Sequence, residues 1–347
     1  MAKSVPVAEA VGMVLPHDIT EIRAGEFKGR AFKKGHLIRA EDIEHLRRLG
    51  KEHIFILELT AEDIHENEAA QLLATALAGA GTTMSGEPVE GKLNLLAAHS
   101  GVLRVDREAL YRFNLLGEVM CATLHGDSLV AQGDQVAATR LIPLVSRREI
   151  VEQAVEIARA GGGVVRVEPI RAAKVGLVIT GNEVYHGRIK DAFEPILREK
   201  MAAIGSAVVR VVKAPDDTAM IASAIGECLA TGADLIITSG GMSVDPDDVT
   251  RGGIARAGAT EVVYGTPVLP GAMFLVGYLQ GESGGQVPVL GLPACGMFHR
   301  ITVLDLVLPR ILAGEKIGRE DLARLGHGGL CRNCKNCTYP VCPFGKG

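Results

Sequence analysis

The spacing of apolar residues along the chain changes near residue 171. From 172 onward, short unbroken apolar runs alternate with longer segments in which apolar residues recur every three or four positions. Unbroken Val, Ile and Leu runs are typical of strands buried on both faces, and the longer spacing is typical of the helices that cover them. The alternation predicts right-handed βαβ units, and therefore an α/β fold with a doubly wound, mostly parallel sheet.

Short turns rich in glycine separate the strands and helices that are predicted from residue 172 onward. The predicted strands are 175–180, 207–212, 235–238, 262–264, 272–277 and 287–290. The predicted helices are 189–204, 218–231, 248–257 and 296–312.

The first 170 residues show a more mixed pattern. Helical spacing predicts helices at 40–49 and 65–79, and alternation of apolar and polar residues predicts a strand at 53–59. Two apolar runs within 129–142 flank a Gly-Asp turn and predict a hairpin. This part of the chain is therefore expected to be an α+β region.

A helix with marked ends is predicted just before the pattern changes. Ser146 and Glu149 have the spacing of a capping box, which begins a helix, and the triple glycine 161–163 ends it. We therefore divide the chain into four parts. They are an N-terminal segment at 1–60, a β-rich insert with flanking helices at 61–170, the α/β domain at 171–314, and a linker with a Cys-rich tail at 315–347.

Composition excludes several classes of protein. Hydrophobic residues make up 47% and charged residues 22%, which is typical of globular proteins and excludes extended disorder. The net charge of −4, with 4% aromatic residues and no Trp, provides neither the charge nor the stacking surface that nucleic acid requires. The first residues form no signal-peptide core, and no apolar run reaches the ~18 residues of a membrane span. We expect a cytoplasmic protein that binds neither nucleic acid nor membrane.

Candidate chemistry follows the predicted strands. In an open parallel sheet, ligands bind beyond the carboxyl ends of the strands. The loops at those ends contain six acidic residues: Glu183, Asp216, Asp217, Asp245, Asp247 and Asp248. The backbone N–H groups of Gly240 and Gly241 can approach a phosphate closely, and the carboxylates are suited to Mg²⁺ that bridges to phosphate oxygens. The alternative is that Asp217 and Asp247 or Asp248 only cap the helices that follow them.

Residues 172–314 resemble the molybdopterin-binding domain that molybdopterin adenylyltransferases and molybdopterin molybdenumtransferases share. The matching segments are Ile179–Glu183, Pro215–Asp217, Thr238–Val244, Asp247–Thr250, Pro270-Gly271 and Gly291–Pro293. The segment 1–60 also resembles the molybdenumtransferase, at Val5–Gly12 and from Lys34–Ile43 through Leu49-Gly50. An Asp-Gly-Tyr-Ala segment and a large C-terminal β domain, both typical of the molybdenumtransferase, are not found in this sequence.

The resemblance implies molybdopterin, free or adenylated, as ligand or substrate, together with Mg²⁺ and molybdate or tungstate. The catalytic acids that it implies are Glu183, Asp217 and Asp248. The ligand-binding residues that it implies are Thr180, Gly181, Ser239, Gly240, Gly241, Ser243, Asp245, Gly291 and Pro293. It also implies self-association and a molybdenum or tungsten enzyme as partner. Three activities stay open, namely insertion of molybdate, adenylyl transfer to molybdopterin, and a non-catalytic role as carrier or sensor of the molybdenum cofactor.

The last seventeen residues contain four cysteines, Cys331, Cys334, Cys337 and Cys342. Their C-x₂-C-x₂-C-x₄-C-P spacing is one residue longer than the bacterial ferredoxin pattern, and a Cys₄ zinc site is an equal alternative. A secreted disulfide scaffold would distribute its cysteines along a short chain. The tail is therefore predicted to bind an iron–sulfur cluster or Zn²⁺.

Overall fold

The structure is a computed structural model that describes residues 2–23, 27–57, 60–243, 249–281 and 284–347. The chain folds as two units. The first unit comprises Met1–Leu124 and Val130–Val167, and the second comprises His125–Leu129 and Glu168–Gly347. Within the described residues, no helix combines the length and the apolar character that crossing a bilayer requires.

The part of the chain up to residue 168 contains short strands and four helices within its described ranges. The strands are β1 (Ala2–Pro6), β2 (Ile19–Arg23), β3 (Phe27–Phe32), β4 (His53–Leu57), β5 (Asp63–His65), β6 (Thr82–Met84), β7 (Lys92–Ala97), β8 (Gly101–Val105), β9 (Val119–Thr123), β10 (Leu129–Val130), β11 (Gln135–Leu141), β12 (Val145–Arg147) and β13 (Val165–Glu168). The helices are α1 (Asp42–Arg48), α2 (Glu66–Leu77), α3 (Arg107–Asn114) and α4 (Arg148–Arg159). The larger sheets have the orders β6-β7-β11-β9 and β10-β8-β13, and β1 pairs with β4, β2 with β3, and β5 with β12.

The predicted hairpin within 129–142 is wrong, because its two strands belong to different sheets. β10 lies beside β8, whereas β11 lies between β7 and β9. The turn between them is held by a residue of β7, since the Gly133 N–H donates to the Ala97 carbonyl at 2.8 Å. The Asp134 carboxylate accepts a second bond of 2.8 Å from the Ala131 N–H. Turn chemistry therefore marked a reversal of the chain without specifying the partner strand.

The capping box predicted before α4 is also wrong. The Ser146 hydroxyl donates to the Glu118 carboxylate, and Arg147, which precedes the first helical residue, makes no side-chain cap. The helix forms because Val151, Ala154 and Ala158 are buried along one face. It ends at Arg159, and its C-cap Ala160 directly precedes the glycines at 161–163.

The described residues of the second unit contain six strands and six α-helices. The strands are β14 (Lys174–Thr180), β15 (Ala207–Ala214), β16 (Leu235–Ser239), β17 (Thr260–Tyr264), β18 (Leu275–Gln280) and β19 (Gln286–Leu292). The helices are α5 (Asn182–Tyr185), α6 (Phe193–Ala203), α7 (Thr218–Ala230), α8 (Thr250–Arg256), α9 (Val303–Leu312) and α10 (Arg319–Arg324).

These strands form one sheet of order β15-β14-β16-β19-β18-β17. β15, β14, β16 and β19 are parallel, and β18 and β17 continue the sheet in antiparallel pairing. Helices separate the parallel strands along the chain, whereas β17, β18 and β19 follow one another without a crossover helix, so they must alternate in direction. The predicted α/β fold with a mostly parallel sheet is confirmed.

Each face of the sheet has its own hydrophobic core. On β14, Leu177 and Ile179 pack with α6 and α9, while Val178 between them packs with α7 on the opposite face. Successive side chains of a strand point to opposite faces, so a strand buried on both sides reads as an unbroken apolar run. This is the doubly wound arrangement that the apolar runs predicted.

The last long helix begins later than predicted. A helix was expected over 296–312, whereas α9 begins at Val303. Thr302 and Asp305 form a capping box in which the Thr302 N–H donates to the Asp305 carboxylate at 2.7 Å. The residues before this cap, Ala294–Met297, form a short 3-10 helix at the end of β19.

Candidate functional site

The loops that follow the parallel strands meet at one edge of the sheet. The Thr180 hydroxyl at the end of β14 donates to the Ser239 carbonyl at the end of β16, at 2.9 Å. The Gly240 N–H donates to the Leu292 carbonyl at the end of β19, at 3.4 Å. The carboxyl ends of three neighbouring strands are therefore joined directly, as the topology required.

Two adjacent glycines fix the shape of this edge. Gly240 and Gly241 have φ angles of +88° and +55°, which L side chains rarely adopt. A Cβ on Gly240 would lie 2.5 Å from the Thr180 carbonyl oxygen, and one on Gly241 would lie 2.4 Å from the Thr250 hydroxyl. Space and backbone conformation therefore both require glycine at these two positions, and the main chain is left exposed to an approaching ligand.

A cavity of about 590 Å³ opens beside the glycines. Its lining includes four of the residues predicted to bind the ligand, namely Gly240, Gly241, Ser243 and Pro293. The remaining wall is formed by Met242, Leu269–Met273, Ala294, Cys295, His299, Leu330, Cys331 and Asn333. A concave and mainly apolar site with a few polar groups is typical of a small-molecule pocket.

Three further predicted residues lie beneath this cavity. Thr180 and Ser239 are buried, and the Ser239 hydroxyl has no hydrogen-bond partner within the described part of the chain. Buried polar groups are normally paired, so this hydroxyl, directly before Gly240, is a donor whose partner would come from outside these residues. Gly291 packs under Met242, where a Cβ would lie 2.6 Å from the Met242 methyl carbon, and so affects the cavity only through that side chain.

The predicted acidic residues do not line the cavity where the structure describes them. The Asp217 carboxylate caps α7 by accepting bonds of 2.9 Å and 2.8 Å from the N–H groups of Ala219 and Met220. Asp216 is bonded to the backbone of Asn182, whose N–H donates to its carboxylate at 2.8 Å.

Glu183 lies on the short helix α5, with its carboxylate folded back against Gly181. Asp245, Asp247 and Asp248 lie outside the described residues. Among the residues that are described, no three His, Cys, Asp or Glu side chains are grouped to hold a metal ion. The described carboxylates alone therefore do not fit a magnesium site.

Sequence reasoning missed a large part of the cavity wall. His299 and the loop Leu269–Met273 line it, although Pro270-Gly271 was recognised only as part of a resemblance. Cys295 was not missed, because its place after the Gly-Leu-Pro segment predicts a position at the rim of the site; it lines the cavity and is half-buried, and burial raises the pKa of its thiol. The spacing of apolar residues gives no sign that a loop between two antiparallel strands reaches the ends of parallel ones.

The Cys-rich tail supplies the rest of that wall because it is docked on the remainder of the second unit. The Leu269 N–H donates to the Gly329 carbonyl and the Cys331 N–H donates to the Leu269 carbonyl, each at 2.8 Å. At the other end of the tail, the Gly345 N–H donates to the Gly328 carbonyl at 2.9 Å, and Phe344 is only 3% exposed in the hydrophobic core. The segment with the four cysteines is therefore a loop anchored at both ends.

The four predicted tail ligands border one cavity of about 700 Å³. Cys331 and Cys342 are half-buried, and Cys334 and Cys337 are exposed. The thiols are not gathered into a metal-binding group in the described structure. This cavity shares His299, Leu330, Cys331 and Asn333 with the cavity at the glycines.

A doubly wound α/β domain with a glycine loop and a cavity at the carboxyl edge of its sheet defines a small-ligand-binding domain. Residues 176–313 match the family described as "Probable molybdopterin binding domain". Residues 4–58 match a domain of unknown function, DUF8806.

Curated relatives match the chain over a short stretch. The CinA-like protein of Mycobacterium sp. (strain MCS) is 33% identical over 95 residues, which cover 27% of this chain and 23% of that protein. The CinA-like protein of Mycobacterium tuberculosis (strain ATCC 25618 / H37Rv) is 34% identical over 92 residues, which cover 26% of this chain and 21% of that protein. The chain thus matches less than a quarter of the length of these relatives.

Solved structures overlap the chain over a larger part of its length. MoaB from Pyrococcus furiosus, described as a tungsten cofactor synthesizing protein, is 19% identical and covers 42% of this chain and 97% of its own, with a TM-score of 0.33. The molybdopterin biosynthesis Mog protein of Mycobacterium ulcerans is 21% identical and covers 40% of this chain and 95% of its own, with a TM-score of 0.33.

Proposed function

We propose that the second unit binds molybdopterin or its adenylated form, and that the protein acts in molybdenum cofactor biosynthesis as a molybdenumtransferase-like enzyme that inserts molybdate or tungstate. The observation that supports this most directly is the position of the glycine loop. Within the residues that match the molybdopterin-binding family, Gly240 and Gly241 open into the 590 Å³ cavity at the carboxyl edge of the sheet. A role in the cytoplasm, self-association and a molybdoenzyme partner belong to the same proposal.

The polar groups at the glycine loop suit the phosphate of this ligand. The Gly240 N–H makes only a long bond of 3.4 Å, and no backbone bond of the Gly241 N–H is found within the described residues. These N–H groups, with the hydroxyl of Ser243, would donate to phosphate oxygens, and Ser239 would support the loop from beneath. Preorganised donors in a cavity that excludes water stabilise charge without reorganising as it develops.

The apolar wall suits the flat pterin ring. Leu269, Met273 and Pro293 line the same cavity as the phosphate donors. Burial of a planar ring against such side chains contributes about 25 cal/mol per Å² of apolar surface removed from water. The described residues would therefore contribute to the reaction by positioning the ligand and by excluding water from it.

Magnesium belongs to the proposal through residues beyond the described ranges. A Mg²⁺ ion takes oxygen ligands, and the carboxylates of Asp216 and Asp217 are already bonded to backbone N–H groups. An ion would need Asp245 and Asp248. When bound, it would neutralise phosphate charge and orient the oxygens.

The tail is proposed to bind an iron–sulfur cluster or Zn²⁺ through its four cysteines. Arg300, Arg332 and Lys335 also border the 700 Å³ cavity and would offset the charge of the thiolates. Because the thiols are not gathered, binding requires the exposed Cys334 and Cys337 to move inward. Cys331 belongs to both cavities, so this movement would reshape one wall of the molybdopterin pocket.

Metal analysis of the full chain tests this site. The protein purified without oxygen is expected to contain either iron and sulfide or about one zinc per chain, because four thiolates complete either kind of site. Cys334→Ser combined with Cys337→Ser should lose that metal, whereas Cys121→Ser, which changes a cysteine buried in the first unit, should retain it. Equal metal content in both variants, or none in the unaltered chain, would contradict the proposal.

A carrier or sensor of the finished cofactor is a second candidate function. The observation that favours it is the structural use of Asp216 and Asp217, whose carboxylates are bonded to backbone N–H groups. A carrier needs the pocket but no acidic residues for turnover. Adenylyl transfer is the remaining alternative, and an adenylated product would distinguish it from insertion of molybdate and from a carrier role.

A turnover assay separates these functions. Asp217→Asn combined with Asp248→Asn is expected to abolish molybdate insertion while molybdopterin binding remains, since both charges are lost but Asn still caps α7. The assay supplies adenylated molybdopterin, Mg²⁺ and molybdate, and follows the formation of active cofactor. Unchanged insertion would exclude these acids from catalysis. An adenylated product from Mg-ATP and molybdopterin would favour the adenylyltransferase instead.

A further inference from the structure

The first unit contains two adjoining polar cavities that the proposed function does not use. Their volumes are about 410 Å³ and 220 Å³, and they share His17, Asp18, Glu66 and Glu90 as lining residues. Even the smaller one has room for about seven waters at ~30 Å³ each. Such concentrations of ionisable side chains around a cavity are candidates for a functional site.

The carboxylates of these cavities already have partners. Asp18 accepts bonds of 2.7 Å from the Arg30 guanidinium and from the Lys34 N–H. Glu90 accepts a bond of 2.8 Å from the Thr20 hydroxyl. The Arg30 guanidinium therefore offsets the charge of Asp18, whereas the neutral Thr20 hydroxyl leaves the charge of Glu90 in place.

Glu66 is the third carboxylate, and burial limits its charge. It is 6% exposed, and the Arg140 guanidinium lies 3.8 Å from it. Desolvation raises the pKa of this carboxyl group. Two of the three acids, Asp18 and Glu66, are therefore paired with a guanidinium, and Glu90 is the remaining negative charge at the cavities.

The lysines that line these cavities are not held in ion pairs within the described residues. Lys51 lines the larger cavity and Lys33 the smaller one, and neither takes part in an ion pair among the described residues. Lys34 also lines the smaller cavity, and its ammonium group lies 3.1 Å from the His65 Nδ1 atom. With Arg30 and Arg140, five cations border these cavities against three carboxylates, although the chain as a whole has a net charge of −4.

Hydrogen bonds keep the His65 ring neutral, so that it adds no charge. Its Nε2 atom donates to the Pro16 carbonyl at 3.0 Å, and its Nδ1 atom accepts from the Asn67 N–H at 3.2 Å. With Nδ1 held as an acceptor, this ring orients Lys34 and is not itself a ligand for an anion.

His17 lines both cavities and has an unsatisfied ring nitrogen. Its Nδ1 atom is buried and has no hydrogen-bond partner within the described residues. A buried polar atom without a partner costs about 1–3 kcal/mol, so a partner supplied by a ligand would be favourable. As the Nδ1–H tautomer, a neutral ring would donate to an oxygen in the cavity once the ring turns to expose this atom.

We propose that these cavities bind one small tetrahedral oxyanion, of the class of phosphate, molybdate and tungstate, between Lys33, Lys51 and His17. The excess of cations attracts the anion, and the His17 ring supplies a directed donor. A metal cation does not fit, because no three potential ligands are grouped for it among the described residues. The site lies wholly within the first unit and does not depend on molybdopterin binding in the second.

Equilibrium dialysis of the full chain against phosphate, molybdate or tungstate, at constant ionic strength, tests the proposal. We expect one anion per chain, bound at least about tenfold more weakly by Lys51→Gln and by Lys33→Gln, because each loses a charge-assisted bond. Lys28→Gln removes an exposed lysine of β3 that lines neither cavity and should bind as the unaltered chain does. Tighter binding of molybdate and tungstate than of phosphate would identify a metal oxyanion as the ligand, and the reverse order would identify phosphate.

Two results would overturn this site. One is the lack of any bound anion in the unaltered chain. The other is binding that persists in both lysine variants but is lost in Gly240→Val, since that would place the anion at the glycine loop of the second unit. As a direct readout, the ring resonances of His17 should shift when the bound anion is added, and an unchanged spectrum would contradict its role.

Discussion

Gly240→Val is expected to abolish molybdopterin binding by the second unit. A Cβ at this position would lie 2.5 Å from the Thr180 carbonyl oxygen, and a β-branched residue is a severe outlier at a φ of +88°. The loop must move away from β14, which withdraws the donors of the phosphate site. The strain should also lower the free energy of unfolding by about 1–3 kcal/mol.

Gly226→Ala is the matched control for this variant. Gly226 lies on α7, and an added Cβ would meet no atom within 4 Å. Alanine in a helix interior should stabilise the protein by about 1 kcal/mol and leave ligand binding unchanged. Equilibrium dialysis with molybdopterin and urea unfolding measure the two effects. Normal binding by Gly240→Val would exclude the glycine loop as the phosphate site.

Phe344→Ala is expected to release the Cys-rich tail from the rest of the second unit. Phe344 is 3% exposed and packs in the core, and truncation of such a side chain costs about 3–5 kcal/mol. Because Phe344 anchors one end of the Cys-rich loop, we expect much of this cost to appear as local undocking of the tail. The pocket then loses the wall formed by Leu330, Cys331 and Asn333, and molybdopterin should bind more weakly.

Val341→Ala tests whether this effect is specific. Val341 is 83% exposed, so its truncation should change neither stability nor ligand binding. Limited proteolysis reports undocking, and cleavage within 326–347 should accelerate only in Phe344→Ala. Equal resistance of the two variants would show that the tail is not held by Phe344.

The sequence predicts the second unit well because its strands are buried on both faces. Unbroken runs such as 175–180 occur where both faces of a strand meet helices, and the structure has β14 at Lys174–Thr180. The first unit lacks this signal. Its turn at Gly133-Asp134 was recognised, but the partner of each flanking strand depends on contacts with Ala97 and other distant residues, which no local pattern contains.

The candidate site was predictable where it follows the strands. Gly240, Gly241 and Pro293 line the cavity because the ends of parallel strands share one edge of the sheet. His299, the loop around Leu269 and the tail could not be placed, since they reach the cavity through tertiary packing. The catalytic role of Asp217 stays a prediction. In the structure its carboxylate caps α7.

Calorimetric titration of the full chain with molybdopterin tests the central claim most directly. We predict one molecule bound per chain, loss of this binding in Gly240→Val, and normal binding in Gly226→Ala. Lys51→Gln, which changes only the first unit, should also bind normally. The absence of binding in the unaltered chain, or equal affinity in Gly240→Val, would contradict the assignment of the glycine loop as the molybdopterin site.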